Sequence, residues 1–262
     1  MDYLSINKST WNERTDVHFR SKMYDVENFI QGGNALKSIE LELLGDIKGK
    51  RILHLQCHFG QDTISLSRMG AEVTGIDFSD KAIARAKELA ELTQSNTRFI
   101  LSDVYSLPDV LDEKFDMVFT SYGTIGWLPD VERWAAVVSH FIKPGGTFVF
   151  AEFHPVVWMM SDDFSKIEYR YFTDEPIVEE SDTTYTDGQL SKSMKSVGWN
   201  HGMAEVIQAL LDQGLHLDSL REFDYSPYDC FDKVVEVETG KYQIIGLEGK
   251  IPMVYALKAT KA

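Results

Sequence analysis

Residues 51–60 read RILHLQCHFG, an apolar run that carries His54, Gln56, Cys57 and His58 before it reaches a glycine. Residues 51–55 have the apolar density of a buried strand, and Gly60 is the kind of residue that opens a tight turn. The side chains between them admit three readings. They form a metal site, a redox centre, or a nucleotide-binding loop written without its usual glycines.

The residues that follow narrow the choice. Residues 60–69 read as a helix, and EVTGI (72–76) reads as a second strand ending at Asp77. Ser79 or Asp80 caps the next helix, in which Ala82, Ile83, Ala86, Leu89 and Ala90 recur at helical spacing. Residues 97–101 form a third strand ending near Asp103, and FDMVFT (115–120) a fourth. Asp130 then caps VERWAAVVSHFI, KPGG (143–146) makes a turn, and TFVFAEF (147–153) is a fifth strand. Short apolar runs alternating with amphipathic helices predict an α/β fold with a mostly parallel sheet. Crossovers in such sheets are right-handed and ligands sit beyond the carboxyl ends of the strands. Residues 54–60, Asp77, Asp103, 121–127 and 152–155 are therefore the candidate site.

The flanking segments read differently. Residues 1–48 look helical, broken by Gly32 and Gly33, and form a cap beside the 49–155 core. Residues 156–199 are rich in aromatic and β-branched residues and contain no convincing long helix. They read as a strand-containing insertion, either a lid over the site or a peripheral surface for dimerisation. Residues 200–214 resume helix with Gly214 as the stop, and LHLDSLREFDY and IPMVYALKATK supply two final strands, so that 200–262 completes one domain spanning 1–262.

The bulk composition sets limits on partners. The 262 residues are 44% hydrophobic and 26% charged, with a formal net charge of -15. That field repels phosphate backbones, so nucleic acid is not an expected partner and a neutral or cationic small molecule suits the chain better. The first residues lack an apolar h-region and no run of about 18 apolar residues occurs, so no membrane association and a cytoplasmic location are expected. Cys57 and Cys230 are far apart, which predicts free thiols and no redox pair.

A strand, a glycine turn, a helix N-terminus and an acid at the end of the next strand together suit a nucleoside, with the carboxylate taking the ribose hydroxyls. Asp77, 17 positions after Gly60, supplies that acid, although a turn or cap role explains an aspartate there equally well. Asp103 can accept from an exocyclic adenine amine, and Phe78 offers a face for the purine. The metal reading of His54, Cys57 and His58 is weak, because neighbouring residues of an extended chain point to opposite sides; no metal is expected.

On RILHLQCHFGQDT, EVTGIDFS, RFILSDVYSLP, FDMVFTSYG and FIKPGGTFVFAEFHP, the sequence resembles the class I S-adenosylmethionine-dependent methyltransferases, in a bacterial small-molecule subgroup with an LHLQCH-type first loop. The resemblance covers about residues 48–155, extended by the two final strands. It implies a Rossmann-like seven-stranded sheet, mostly parallel with an antiparallel last strand, helices on both faces, and S-adenosylmethionine as cofactor. It further implies that His54, Gln56, His58 and Gly60 wrap the methionine portion and that Asp77 holds the ribose. Phe78 and Val104 would flank the adenine, Asp103 would bond its amino group, and Ser121 would face the sulfonium. The departure is that His54, Gln56 and His58 stand where the family carries an acid and two glycines. Histidine tolerates positive φ at a cost of about 1–3 kcal/mol, so the turn can persist. Gln56 must either point away or bond the methionine end.

Methyl transfer is a displacement that depends on positioning, with a general base needed only for an acceptor that arrives protonated. His154 and Tyr122, after the fifth and fourth strands, are the catalytic candidates, with His201 a weaker third. Trp127, Trp158, Tyr171 and Tyr185 could line a pocket for an aromatic or partly apolar small-molecule acceptor, in a monomer or homodimer. The rival readings are a non-catalytic S-adenosylmethionine-binding protein and a nicotinamide-dependent oxidoreductase, which would need more glycines in the first loop.

Overall fold

Ile52 and Leu53 are adjacent, both fully buried, and belong to core clusters on opposite faces. A strand with that pattern has to lie in the middle of a sheet covered on both sides. The computed structural model, which describes residues 1–172 and 175–262, places it there. Three helices, α1 (Tyr3–Phe19), α2 (Val26–Ile30) and α3 (Ser38–Leu44), come first. The core follows as β1 (Arg51–His54), α4 (Gln61–Arg68), β2 (Glu72–Asp77), α5 (Asp80–Leu92), β3 (Arg98–Leu101), α6 (Leu107–Val110), β4 (Phe115–Ser121), α7 (Val131–Phe141) and β5 (Ile142–Phe153). Beyond it lie a hairpin of β6 (Ile177–Thr183) and β7 (Gln189–Gly198), then α8 (Met203–Asp212) and β8 (Leu215–Phe223). A second hairpin, β9 (Val234–Glu238) with β10 (Lys241–Ile244), precedes β11 (Val254–Lys261).

The main sheet has seven strands in the order β3-β2-β1-β4-β5-β11-β8, with β11 antiparallel to both neighbours. Strand order reverses between β1 and β4, which opens a crevice at the carboxyl ends of those strands. Ser79 caps α5 by accepting from the Ala82 amide at 3.0 Å, and Asp130 caps α7 by accepting from Arg133 at 2.8 Å.

Two expectations need correction. The KPGG stretch is no turn before the fifth strand: β5 begins at Ile142, which pairs with Phe115, while Thr147 pairs with Met117. Residues 143–146 are extra chain inside the strand, a bulge. Gly146 allows it, because a Cβ there would lie 2.9 Å from the Asp116 carbonyl oxygen. The β9–β10 hairpin, in turn, has no counterpart in the sequence pattern.

The insertion docks on α1. Asn7 Nδ2 donates to the Val197 carbonyl at 2.8 Å, the Val197 amide donates back to Asn7 Oδ1 at 2.9 Å, and Thr10 Oγ1 donates to the Lys195 carbonyl at 2.6 Å. The buried residues of α1 are Asn7, Thr10, Thr15 and His18, so this helix turns a polar side inward. Its other flank is tied to α5 through Asp16, which accepts from Arg85 and Lys81. Among the described residues no helix is long and apolar enough to cross a membrane.

Replacing Asn7 with Leu strands both backbone groups of Val197 in a buried place, which should cost roughly 2–4 kcal/mol. Chemical denaturation measures this, and a loss under about 0.5 kcal/mol would contradict the docking.

Candidate active site

The loop after β1 makes a left-handed turn at alternate residues: Gln56 has φ 54°, His58 φ 49° and Gly60 φ 83°. These are the positions where the sequence lacks, lacks and keeps a glycine. Asp77, at the end of β2, clamps the turn. Its Oδ2 accepts the His58 amide at 2.9 Å and its Oδ1 the Ser79 amide at 2.8 Å. Burial pushes the Asp77 carboxyl up to about 6 in spite of those donors. Gly60 itself is obligatory, since a Cβ there would lie 2.6 Å from the Phe99 ring.

The side chains of the loop go separate ways. His54 Nδ1 meets Thr63 Oγ1 at 2.8 Å, and Cys57 packs where a Cβ on Gly75 would come within 2.9 Å of its sulfur. Burial holds the Cys57 thiol well above its ordinary value, which suits an inert packing residue. His58 Nε2 lies 3.0 Å from His18 Nδ1 on α1, and His18 Nε2 lies 2.6 Å from Thr184 Oγ1 in the hairpin connection. Burial keeps both imidazoles neutral, His58 at about 3. Gln56 donates its Nε2 to the Thr124 carbonyl at 2.8 Å, and its Oε1 is sealed from solvent without a partner.

Gln56 also lines a narrow cleft with Ile76, Phe78, Ser102, Asp103, Val104 and Trp127, bordered by Tyr3, Leu4 and Asn7 of α1. Asp103 accepts the amides of Tyr105 and Ser106 through Oδ1 alone, at 3.0 and 3.1 Å. Its second oxygen stays available.

At the end of β4 a second cluster forms. Ser121 donates to Asp62 Oδ2 at 3.0 Å, and Tyr122 donates to Glu40 Oε2 at 2.7 Å from a backbone at φ 26°. Glu40 is fully buried on α3, where its Oε1 accepts the Lys37 amide at 2.5 Å. Burial first, and the charge of Asp62 second, raise Glu40 to about 7. The Tyr228 ring sits 5.2 Å from that of Tyr122, and the Tyr24 and Tyr185 hydroxyls meet at 2.6 Å. Behind them Glu152 binds the amides of Gly123, Thr124 and Ile125, fixing the loop that follows Tyr122.

His154 faces elsewhere. Its Nδ1 accepts the Val156 amide at 3.2 Å, its Nε2 lies 3.0 Å from Glu222, and its ring packs on Tyr255, on the β11–β8 side of the sheet. His201 is likewise engaged, with Nε2 2.7 Å from the Leu128 carbonyl. Of the four expected pocket aromatics, Trp127 and Tyr185 border the site. Trp158 packs edge-on against Phe153 and at a tilt against Phe231, and Tyr171 accepts the Met203 amide.

A methyltransferase-domain family matches residues 52–146. The core of the chain is thus similar to a methyltransferase domain. An uncharacterized methyltransferase of Synechocystis is 30% identical over 132 residues, half of this chain and 60% of that protein. The ubiquinone biosynthesis O-methyltransferase of Coxiella burnetii is 34% identical over 116 residues, covering 44% and 48%. The chain thus spans about half the length of the curated relatives it matches. Among solved structures, an S-adenosylmethionine-dependent methyltransferase from Mesorhizobium loti shares the fold, with a TM-score of 0.58, 20% identity, and coverage of 88% of this chain and all of the other.

Several residues of this candidate site are silent in the sequence. Glu40 reads only as the third residue of a helix, a capping position. Asp62 reads as a first-turn acid, and Tyr228 belongs to a segment with no recognisable pattern. Arg14, Trp11 and His18 sit in a helix without an apolar stripe.

Because the folded state holds protons on Glu40 and Asp77 that the unfolded chain releases, stability should fall as pH rises from about 4.5 to 7. The Glu40 share is of order 3 kcal/mol. Glu40→Gln should flatten the profile over that window by urea denaturation; an unchanged slope would refute the assignment.

Proposed function

We propose that the protein transfers a methyl group from S-adenosylmethionine to a small-molecule acceptor. The observation that carries this reading is the Asp77 clamp on a left-handed loop, set beside a cleft lined by Gln56, Phe78, Asp103 and Val104. Asp77 uses one position on each oxygen for the two amides and keeps lone pairs for ribose hydroxyls. Phe78 and Val104 would flank the adenine, Asp103 would accept from its amino group, and the 54–60 loop would hold the methionine portion. When bound, the cofactor supplies an electrophilic methyl group next to a sulfonium.

The chain's own contribution is position and proton transfer. Ser121 and Tyr122 stand at the end of β4, next to the loop. Burial keeps the Tyr122 hydroxyl far above neutrality, so tyrosine alone is a poor base. Glu40, raised to about 7, is the group that changes state near neutral pH. The Tyr122 oxygen can accept a proton from the acceptor while its own proton passes to Glu40. We assign the base role to this pair and not to His154. A pair of that kind suits an acceptor that arrives protonated, such as a phenol, and the rings of Tyr24, Tyr122, Tyr185 and Tyr228 suit a flat, partly apolar one. The O-methyltransferase name of one relative supports the same acceptor class.

The experiment is thermal unfolding with S-adenosylhomocysteine. At about 100 times its dissociation constant the ligand should add roughly 2.7 kcal/mol. No shift sinks the proposal, and a shift that survives Asp77→Ala removes that carboxylate from the site. In a screen of phenols, carboxylic acids and amines for donor turnover, Tyr122→Phe should lower kcat by roughly 10² to 10⁴ with the donor KM unchanged. Wild-type rates should rise through about pH 7 as Glu40 loses its proton; equal rates for Tyr122→Phe and wild type would remove the pair from catalysis.

A further inference from the structure

Among the described residues, Arg14 is a cation held in the fold without a counter-ion. Its Nε is sealed from solvent with no partner, and among the described residues its guanidinium makes neither a hydrogen bond nor an ion pair. The ring of Trp11 lies 5.4 Å from its central carbon and that of Trp127 5.5 Å, so the contacts around it are with aromatic rings. Stacking on rings uses the faces of a guanidinium and leaves its edge, the fork of N–H donors, free for a planar anion. The carboxylate felt at longer range, Glu179, already accepts the Tyr169 hydroxyl at 2.7 Å. A charge sealed in this way is unfavourable until an anion arrives.

Its place on α1 says where the anion would come from. Asn7, Trp11, Arg14 and His18 follow one another at helical spacing along one side of the helix. Asn7 borders the nucleoside cleft, and His18 touches His58 in the first loop. Arg14 lies between them, about 10 Å along the axis from Asn7. Trp127, against which it rests, borders the same cleft.

We infer that Arg14 is the carboxylate-binding residue of the site, taking either the amino-acid carboxylate of the cofactor or an acid group of the acceptor. The cofactor alternative rests on the function proposed above. Bidentate pairing with a planar carboxylate uses the free fork and neutralises the buried charge. Neither His18 nor His58 competes for the anion, since both are neutral.

Isothermal titration of wild type, Arg14→Gln and Arg14→Lys tests this with three probes. They are S-adenosylhomocysteine, 5′-methylthioadenosine, which lacks the carboxylate, and benzoate. If the anion belongs to the cofactor, Arg14→Gln weakens S-adenosylhomocysteine by roughly ten- to a hundredfold and leaves 5′-methylthioadenosine unchanged. If it belongs to the acceptor, S-adenosylhomocysteine is unaffected and benzoate binds the wild-type protein and not Arg14→Gln. In either case Arg14→Lys restores only part of the affinity, because an ammonium offers no fork. Unchanged binding of all three probes by Arg14→Gln overturns the inference. Wild-type protein that binds neither adenosyl ligand overturns the cofactor reading instead, and the benzoate titration of ligand-free protein then decides Arg14 alone. Thermal unfolding separates a structural role: Arg14→Met should leave the ligand-free Tm equal or higher. A lowered Tm would make Arg14 structural and overturn the proposal.

Discussion

The site depends on one buried carboxylate. Asp77 draws the amide of His58 from the end of β1 and the amide of Ser79 from the start of α5 onto its two oxygens. It thereby fixes two things at once: the left-handed turn of the first loop and the helix that follows β2. Two residues other than glycine at positive φ cost about 1–3 kcal/mol each, and the clamp helps to offset that strain. Gly60 and Gly75 complete the arrangement by letting Phe99 and Cys57 pack tightly beneath the loop. The cysteine that looks reactive in sequence is the floor of the turn.

Above this loop the protein uses polar side chains where a helical cap would ordinarily use apolar ones. Residues Asn7, Trp11, Arg14 and His18 of α1 meet the insertion, the first loop and the β4–α7 connection. Some inward groups find a specific partner and others are buried without one. Gln56 Oε1, His58 Nδ1 and Arg14 Nε, buried without a partner among the described residues, lie near the same loop. Buried polar atoms without partners are rare in folded proteins. Their convergence marks this region as the candidate binding chamber.

On the other side of the chamber, burial governs reactivity. Glu40 lies under Tyr122 with Asp62 nearby, and burial together with the Asp62 charge opposes the ionisation of Glu40. The same cause that raises Glu40 toward neutrality makes the folded state favour its protonated form, so base strength and stability are linked through one residue. Glu152 spends its hydrogen bonds differently, on the amides of 123–125, and so holds Tyr122 in place.

The sequence by itself determined the sheet and its crevice. Alternating strands and helices, Asp77 after the second strand and Asp103 after the third are local signals, because strand burial and helix caps depend on neighbours in the chain. It also placed Tyr122 at a strand end. The tertiary structure decided which of these residues share a chamber. His154 and Tyr122 both follow strands, yet the pairing of β5 with β11 turns His154 toward Glu222, while α3, some eighty residues upstream, brings Glu40 to Tyr122. Arg14 escapes sequence reading for the same reason: a polar helix carries no periodic signal of burial, and only its packing against Trp127 reveals a charge without a partner. Contacts between distant segments set solvation, and solvation sets which groups titrate, pair or remain open to a ligand.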